Sequence, residues 1–393
     1  MIKYISDDKT NMRTRNRKKY IKIMQFLSAF LCGIIISELY GRYKCDLKNV
    51  DEVDNNNYLL LNLVLSAPRN FERRDAMRET WLGLRPWQIN GTSYQDDMII
   101  IPKVQTNGFL EHESIEQQEK VLKNFQKWFP SSKNTNSKEP NLKIKTLFVV
   151  GIKGLDKNVA KKIRAESKVY NDLLLLENLQ DSYKNLTYKL LLALNKLNVV
   201  TPNFNYLLKC DDDTYVKLDY LALDLIQYDI KLKEERRKDE SVKNLGLYWG
   251  FFNGRASVQK TGQWKEVNYD LCDRYLPYAL GGGYVLSKNL VEYLASQYNV
   301  LNRYESEDIS VGTWLAPFRH IHKRHDPRFD TTYIPRKCQD YHLVLHKRTA
   351  NDMKEIAKGN LCFSEVSYES KRQPAEYFYN WFQSPSKCCD RNL

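Results

Sequence analysis

The stretch FNYLLKCDDDTY, Phe204–Tyr215, runs an apolar strand straight into three consecutive carboxylates. In an open α/β sheet, ligands sit at the carboxyl ends of strands, so such a junction marks a fold class and a candidate site together. Asp211, Asp212 and Asp213 repel one another, and a bound cation relieves that repulsion. Oxygen ligands suit Mg²⁺ or Mn²⁺, ions that share their coordination with substrate phosphates. The competing reading is an exposed acidic turn capping the helix that starts near Thr214; on the triplet alone the two weigh equally.

Outward from this stretch, short apolar runs recur at Tyr58–Ser66 (YLLLNLVLS), Ile144–Val150, Asp172–Leu176 and Gly246–Phe252. The first is apolar throughout rather than alternating, as a strand buried on both faces requires. Helical patterns lie between the runs, notably Ser182–Asn198, which sets Leu186, Leu190, Leu191, Leu194 and Leu197 on one face. Strands alternating with helices predict an α/β domain with a mostly parallel sheet. Residues 130–141 read as a polar loop or insertion, and residues 229–244, rich in Lys, Glu and Arg, as a solvated helix face. There is no internal repeat, no P-loop and no GxGxxG after a strand.

Composition narrows the class. The 393 residues are 42% hydrophobic and 28% charged, which excludes wholesale disorder and a many-span membrane protein. The net charge of +13 is concentrated at one end: residues 1–22 carry +6, leaving +7 over the other 371. A nucleic-acid role is therefore not indicated. Ile23–Ser37 (IMQFLSAFLCGIIIS) is uncharged, and with its flanks reaches about 20 residues, the length needed to cross a bilayer. The basic leader before it favours a cytosolic N-terminus. A cleaved secretory signal is the rival reading, but no small-x-small site follows. The expected organisation is a basic tail at 1–22, a single-span signal anchor at 23–40, a polar stem at 41–57 and a lumenal domain at 58–393.

Cysteine usage agrees with that topology. Cys32 lies in the apolar segment; Cys45, Cys210, Cys272, Cys338, Cys362, Cys388 and Cys389 lie beyond it without paired CxxC spacing, which argues against structural zinc. Their spread suits disulfides in an oxidising compartment, although seven cannot all pair within one chain. Sequons at Asn90 and Asn185 would be used only in a lumenal chain.

Six motifs occur in order, the acid triplet within the third: SAPRNFERRDAMRETW (Ser66–Trp81), DSYKNLTYK (Asp181–Lys189), KCDDDTYVKLD (Lys209–Asp219), LYWGFF (Leu247–Phe252), YLPYALGGGYVLS (Tyr275–Ser287) and SEDISVGTWLAP (Ser306–Pro317). Together they resemble the β-1,3-galactosyltransferase family, glycosyltransferase family 31, over roughly residues 58–389. The resemblance implies a GT-A (Rossmann-like) domain that binds UDP-galactose through a divalent cation, normally Mn²⁺. It makes Asp213 and His346, in HLVLHKR, the metal ligands. It places Asp211 and Asp212 at the ribose or bridging to the metal, and Arg73, Arg78, Lys209, Gly282 and Gly283 at the donor. Bare reading gives His346 only a core or surface role, and gives the glycine run either close backbone approach to a sugar or a tight bend. Of His320, His322 and His325 only the last falls on a family-like position, so the trio is assigned no metal. Cys210 departs from the family, where a small non-thiol residue is usual.

An α-linked donor and a β-1,3 product require inversion, hence one in-line displacement with a base on the acceptor O3. The resemblance assigns that base to Asp308; helix capping is the bland account of Glu307-Asp308. LYWGFFNGR, HDPRFDTTY and the terminal cysteine pair resemble the branch of the family acting on the Gal-xylose-protein linker of glycosaminoglycans, in the Golgi. The alternatives are a sister enzyme with another donor, such as N-acetylglucosamine, or another acceptor, and a non-catalytic lumenal glycan-binding relative. A silent relative is expected to have lost an acid at 211–213 or 308, and all are present.

Overall fold

A computed structural model describes residues 58–83, 99–105, 107–128, 143–200, 203–334, 339–359 and 377–389. The expected tail, anchor and stem, Asn90, the 130–141 loop and Cys32, Cys45, Cys338 and Cys362 lie outside the described residues. Among the described residues no helix is long and apolar enough to cross a membrane.

The chain begins with β1 (Tyr58–Leu65), then α1 (Phe71–Glu79), a small hairpin of β2 (Lys103–Val104) and β3 (Leu110–Glu111), and α2 (Ile115–Trp128). The next elements are β4 (Ile144–Gly151), α3 (Lys157–Tyr170), β5 (Leu173–Leu176), α4 (Leu186–Val200) and β6 (Phe204–Asp211). The second half holds β7 (Tyr215–Val216), α5 (Leu218–Lys238), β8 (Gly246–Asn253), β9 (Tyr278–Ser287), α6 (Lys288–Ser296) and α7 (Glu307–Leu315). It closes with β10 (Ile321–His325), β11 (Phe329–Asp330), β12 (Val344–Leu345) and α8 (Ala350–Ala357).

Seven strands form one sheet in the order β10-β8-β9-β6-β1-β4-β5. Four pairings are parallel; β9 runs antiparallel to both β6 and β8. The mostly parallel α/β sheet expected from the alternating pattern is therefore present, with one reversed strand that the pattern did not announce.

β1 is central. Its side chains from Leu59 onward are buried, and its one polar member, Asn62, donates from Nδ2 to Thr146 Oγ1 on β4 at 3.0 Å. Burying leucines and valines on both faces removes apolar surface at about 25 cal/mol per Å², which is why this run is central. α4 covers the sheet with Leu190, Leu191, Leu194 and Leu197, the face read from its spacing. The charged 229–244 segment ends α5 and continues into a short 3₁₀ turn at Glu240–Val242.

Because β4 lies on one side of β1 and β6 on the other, the strand order reverses at β1. A crevice opens at such a switch point beyond the carboxyl ends of the strands. Leu65 of β1 is in register with Asp211 of β6, so the acid triplet stands in that crevice. A second sheet, β11-β12-β7, crosses over it. There Leu345 pairs antiparallel with Tyr215, just past the triplet, and carries His346 to the acids.

Candidate active site

The triplet divides by function. Asp212 turns into the protein, 5% exposed. Its oxygens accept from Ser66 Oγ at 2.7 Å, Asn70 Nδ2 at 2.8 Å and Arg73 Nη1 at 2.8 Å. Those partners lie in the β1–α1 turn and the first turn of α1, so Asp212 ties β6 to that junction, while Asp211 and Asp213 form the cluster with His346. Ser66 is held in turn: Lys189 Nζ donates to its carbonyl at 2.8 Å and to Asp181 Oδ2.

Asp211 and Asp213 face the cleft with His346. The imidazole Nε2 lies 3.1 Å from Asp213 Oδ1 and 3.5 Å from Asp211 Oδ2. Neither ring nitrogen of His346, nor Asp213 Oδ1, makes an aligned hydrogen bond, although all three atoms are buried. Ligand atoms of the three residues lie within 4.8 Å of one another. Two carboxylates and an imidazole converging without sharing a proton in good geometry fit a divalent cation such as Mn²⁺. Burial opposes ionisation of Asp211, but the Lys209 ammonium and His346 outweigh it and hold the carboxyl below its usual range. Burial likewise opposes charging of His346, yet the two carboxylates carry it to about 9. Lys347, with φ 58°, extends Nζ to 3.2 Å from Asp213 Oδ2.

The glycine run is explained by the same histidine. Gly281–Gly283 lie inside β9, not at a bend. A Cβ on Gly282 would meet His346 Cγ at 2.5 Å, and one on Gly283 would meet Val344 Cγ1 at 2.8 Å. The missing side chains thus admit the strand that bears the metal-facing imidazole, while Gly281 and Gly282 also line the cleft.

Lys209 is fully buried at the cleft, where Nζ donates to Asp211 Oδ1 at 3.0 Å, Glu307 Oε2 at 2.8 Å and Gly281 O at 2.6 Å. Its bonds position the acids. Glu307, 3% exposed, also accepts from the Tyr284 hydroxyl. Burial pushes its carboxyl up to about 7, with Lys209 opposing and Asp308 adding. Asp308 is the more open acid of the pair. Its Oδ2 accepts from Gly281 N at 2.9 Å and its Oδ1 from Ile309 N at 2.9 Å. One bond is local to the helix start, whereas the other fastens the carboxylate to β9. Burial raises its pKa, with Asp211 adding and Lys209 and both amides opposing. A carboxylate made more basic yet held ionised by two N–H donors is suited to take a proton.

The arginines of the first motif separate. Arg73, on Asp212, lies 3.8 Å from Asp213 and remains at the site. Arg78 does not come to it. It is fixed by Glu166, Asp172 and Asp75 and stacks 3.9 Å over Tyr170. Arg74 is buried against the same Glu166. Spacing foretells this: 74 and 78 are i, i+4 on α1 and share a face that 73 does not. His322 bonds Glu113 and Tyr228, while His325 bonds Phe252 N and Tyr377 O. Both are packing histidines. Cys210 is a buried free thiol.

A cleft of about 450 Å³ collects Asp211, Lys209, Gly281, Gly282, Glu307, Asp308, His346 and Lys347. The cleft is also lined by aromatics: Tyr183, Trp264, Tyr275, Tyr278 and Tyr333. Four of them lie in the quoted motifs but were given no role there, and Trp264 lies outside those motifs. Asn185 stands half-buried beside that lining, at the start of α4, with Nδ2 donating to Gln180 O at 2.9 Å.

Residues 117–327 match the family model described as galactosyltransferase, a segment containing the acid triplet and Asp308 but ending before His346. Mouse beta-1,3-galactosyltransferase 6 is 43% identical over 249 residues, 62% of this chain and 71% of the relative. Human UDP-GalNAc:beta-1,3-N-acetylgalactosaminyltransferase 2 is 34% identical over 39% of this chain and 28% of its own length. Arabidopsis hydroxyproline O-galactosyltransferase GALT5 is 27% identical over 54% of the chain and 30% of its own length. With more than half of its length matched by the family model, and its acids gathered at the switch point of the sheet, the chain is a glycosyltransferase belonging to the galactosyltransferase family.

Proposed function

We propose that the chain transfers galactose from UDP-α-galactose to O3 of a β-galactosyl acceptor, with inversion, on a GT-A-type domain. The observation carrying this reading is the cluster of Asp211, Asp213 and His346, of which Asp211 and His346 line the same cleft as Asp308. Asp308 takes the proton from acceptor O3 as that oxygen bonds to galactose C1. The C1–O bond breaks on the opposite face, and UDP departs with the electron pair. Asp213, His346 and Asp211 would hold a divalent cation, which would supply charge for the departing diphosphate. Arg73, at the cleft edge, is positioned to add a donor for the same group, and Lys209 holds Asp211 and Glu307 in place.

The 43% identical mouse relative, named a beta-1,3-galactosyltransferase, supports galactose as donor and a β-1,3 product; the motifs LYWGFFNGR and HDPRFDTTY support the Gal-xylose linker of proteoglycans as acceptor. The test is a donor screen: the full chain with Mn²⁺, a β-galactosyl-xyloside and UDP-sugars offered singly. UDP-galactose should give the fastest transfer, with a β-1,3 linkage by NMR. Preference for UDP-N-acetylglucosamine would assign the chain to a sister activity.

The basic leader and the apolar segment support a Golgi type II topology: tail 1–22, signal anchor 23–40, stem 41–57 and lumenal domain 58–393. Asn185 and Asn90 then carry glycans. Thr187 of the first sequon is buried, its hydroxyl donating to Tyr304 O at 2.8 Å, so modification there precedes closure of α4. Protein made in cells should run faster on gels after N-glycan removal, and less so for Asn185→Gln. An unglycosylated protein extracted by carbonate would exclude the anchor.

A further inference from the structure

The aromatic lining of the cleft that holds Asp308 is built from three separate segments, and its outermost members face solvent. Trp264 is 43% exposed, Tyr333 64% and Tyr183 45%. Trp264 and Tyr333 have ring centroids 5.6 Å apart, inclined at 58°. Trp264 stands beside the Tyr183 hydroxyl, which itself lies within electrostatic reach of Asp308 and Asp211. Clustered exposed aromatics at the mouth of a reaction cleft mark a binding surface, because isolated folding gains nothing from leaving them wet.

The loop carrying Trp264 is fixed rather than loose. It joins β8 to β9 and is pinned by a small apolar cluster of Val258, Tyr269, Tyr275, Tyr278, Tyr304 and Ile309. Buried Glu266, two residues beyond Trp264, accepts from Glu305 N at 2.9 Å. Ile309 is the neighbour of Asp308, so one cluster sets the indole and the acid relative to each other. The metal-facing group lines the same cleft, at the end of β6.

We propose that Trp264, with Tyr333, is the platform for the acceptor: the apolar C–H face of a terminal β-galactosyl ring lies on the indole, which turns its O3 edge toward Asp308. A sugar ring presents both a C–H face and a hydroxyl rim, and an indole and a carboxylate lining one cleft match the two at once. This rests on the reading of the cleft as a galactosyltransferase site, and it assigns acceptor specificity to the β8–β9 loop and to Tyr333. The platform is a positioning surface; it takes no part in proton transfer.

The test compares the full chain with Trp264→Ala, Trp264→Phe and Tyr333→Ala. Losing the platform should raise the acceptor KM of Trp264→Ala about 10-fold, a step equal to about 1.4 kcal/mol. Affinity for UDP with Mn²⁺ by calorimetry, and acceptor-free hydrolysis of UDP-galactose, should stay within about twofold of wild type. Trp264→Phe should recover most of the loss, and Tyr333→Ala should show a smaller shift in the same direction. Saturation-transfer NMR on a β-galactosyl-xyloside with UDP and Mn²⁺ should lose the ring C–H signals in Trp264→Ala. An unchanged acceptor KM with intact transfer would overturn the platform while leaving the functional reading in place. A parallel fall in UDP affinity would move Trp264 to the donor side and also overturn it. A wild-type chain that transfers to no galactoside overturns the functional reading and the platform with it.

Discussion

Asp308→Asn is expected to cut galactose transfer by ~10²–10⁴, about 3–5 kcal/mol of barrier, while UDP affinity stays at the wild-type value. The substitution keeps shape and removes basicity. The structure adds a detail. Both carboxylate oxygens accept from backbone N–H groups, Gly281 and Ile309, and an amide offers only one oxygen. The variant therefore gives up one of two anchors, and the helix start should stay formed, since Asn is also tolerated there. Glu307→Gln serves as the contrast. That residue is buried in bonds to Lys209 and Tyr284, so its loss should show in unfolding temperature. Near-wild-type turnover of Asp308→Asn with unchanged UDP binding would place the base elsewhere.

The second large effect is on the cation. Chelator should abolish transfer, and Mn²⁺ should restore it. Asp213→Ala should lose transfer and weaken UDP binding in Mn²⁺ together, because one group then no longer joins protein to diphosphate. Folding is expected to survive. The Asp213 carbonyl, which accepts from Arg348 N at 2.8 Å, is untouched by the change. Asp212→Ala differs in kind, because it removes the acceptor for Ser66, Asn70 and Arg73 and should lower stability as well as activity. Full activity in chelator would sink the assignment of Asp211, Asp213 and His346.

How much of this was legible in the sequence depends on whether the deciding contact was local. β1 was readable because burial on both faces forces an unbroken apolar run. The triplet was readable because strand and acids are contiguous. The split within it was not: Asp212 and Asp213 are neighbours, and only the position of the β1–α1 turn decides which faces inward. β10 escaped notice because HIHKRH holds a single apolar residue, Ile321. Its histidines are buried because Glu113, Tyr228 and Tyr377, far apart in the chain, satisfy them. The glycine run hid its cause for the same reason, since the atom that fills the space of the Gly282 side chain belongs to His346.

The three-stranded sheet of β11, β12 and β7 draws His346 from beyond the family-matched segment onto acids inside it. A cation gripped by both halves is thus a staple between the nucleotide-side sheet and the C-terminal strap. Binding that favours only the closed arrangement stabilises it by mass action. Added Mn²⁺ should then shield residues 339–359 from proteolysis before any sugar is present, and a chain ending at residue 327 would keep both carboxylates with nothing to clasp them.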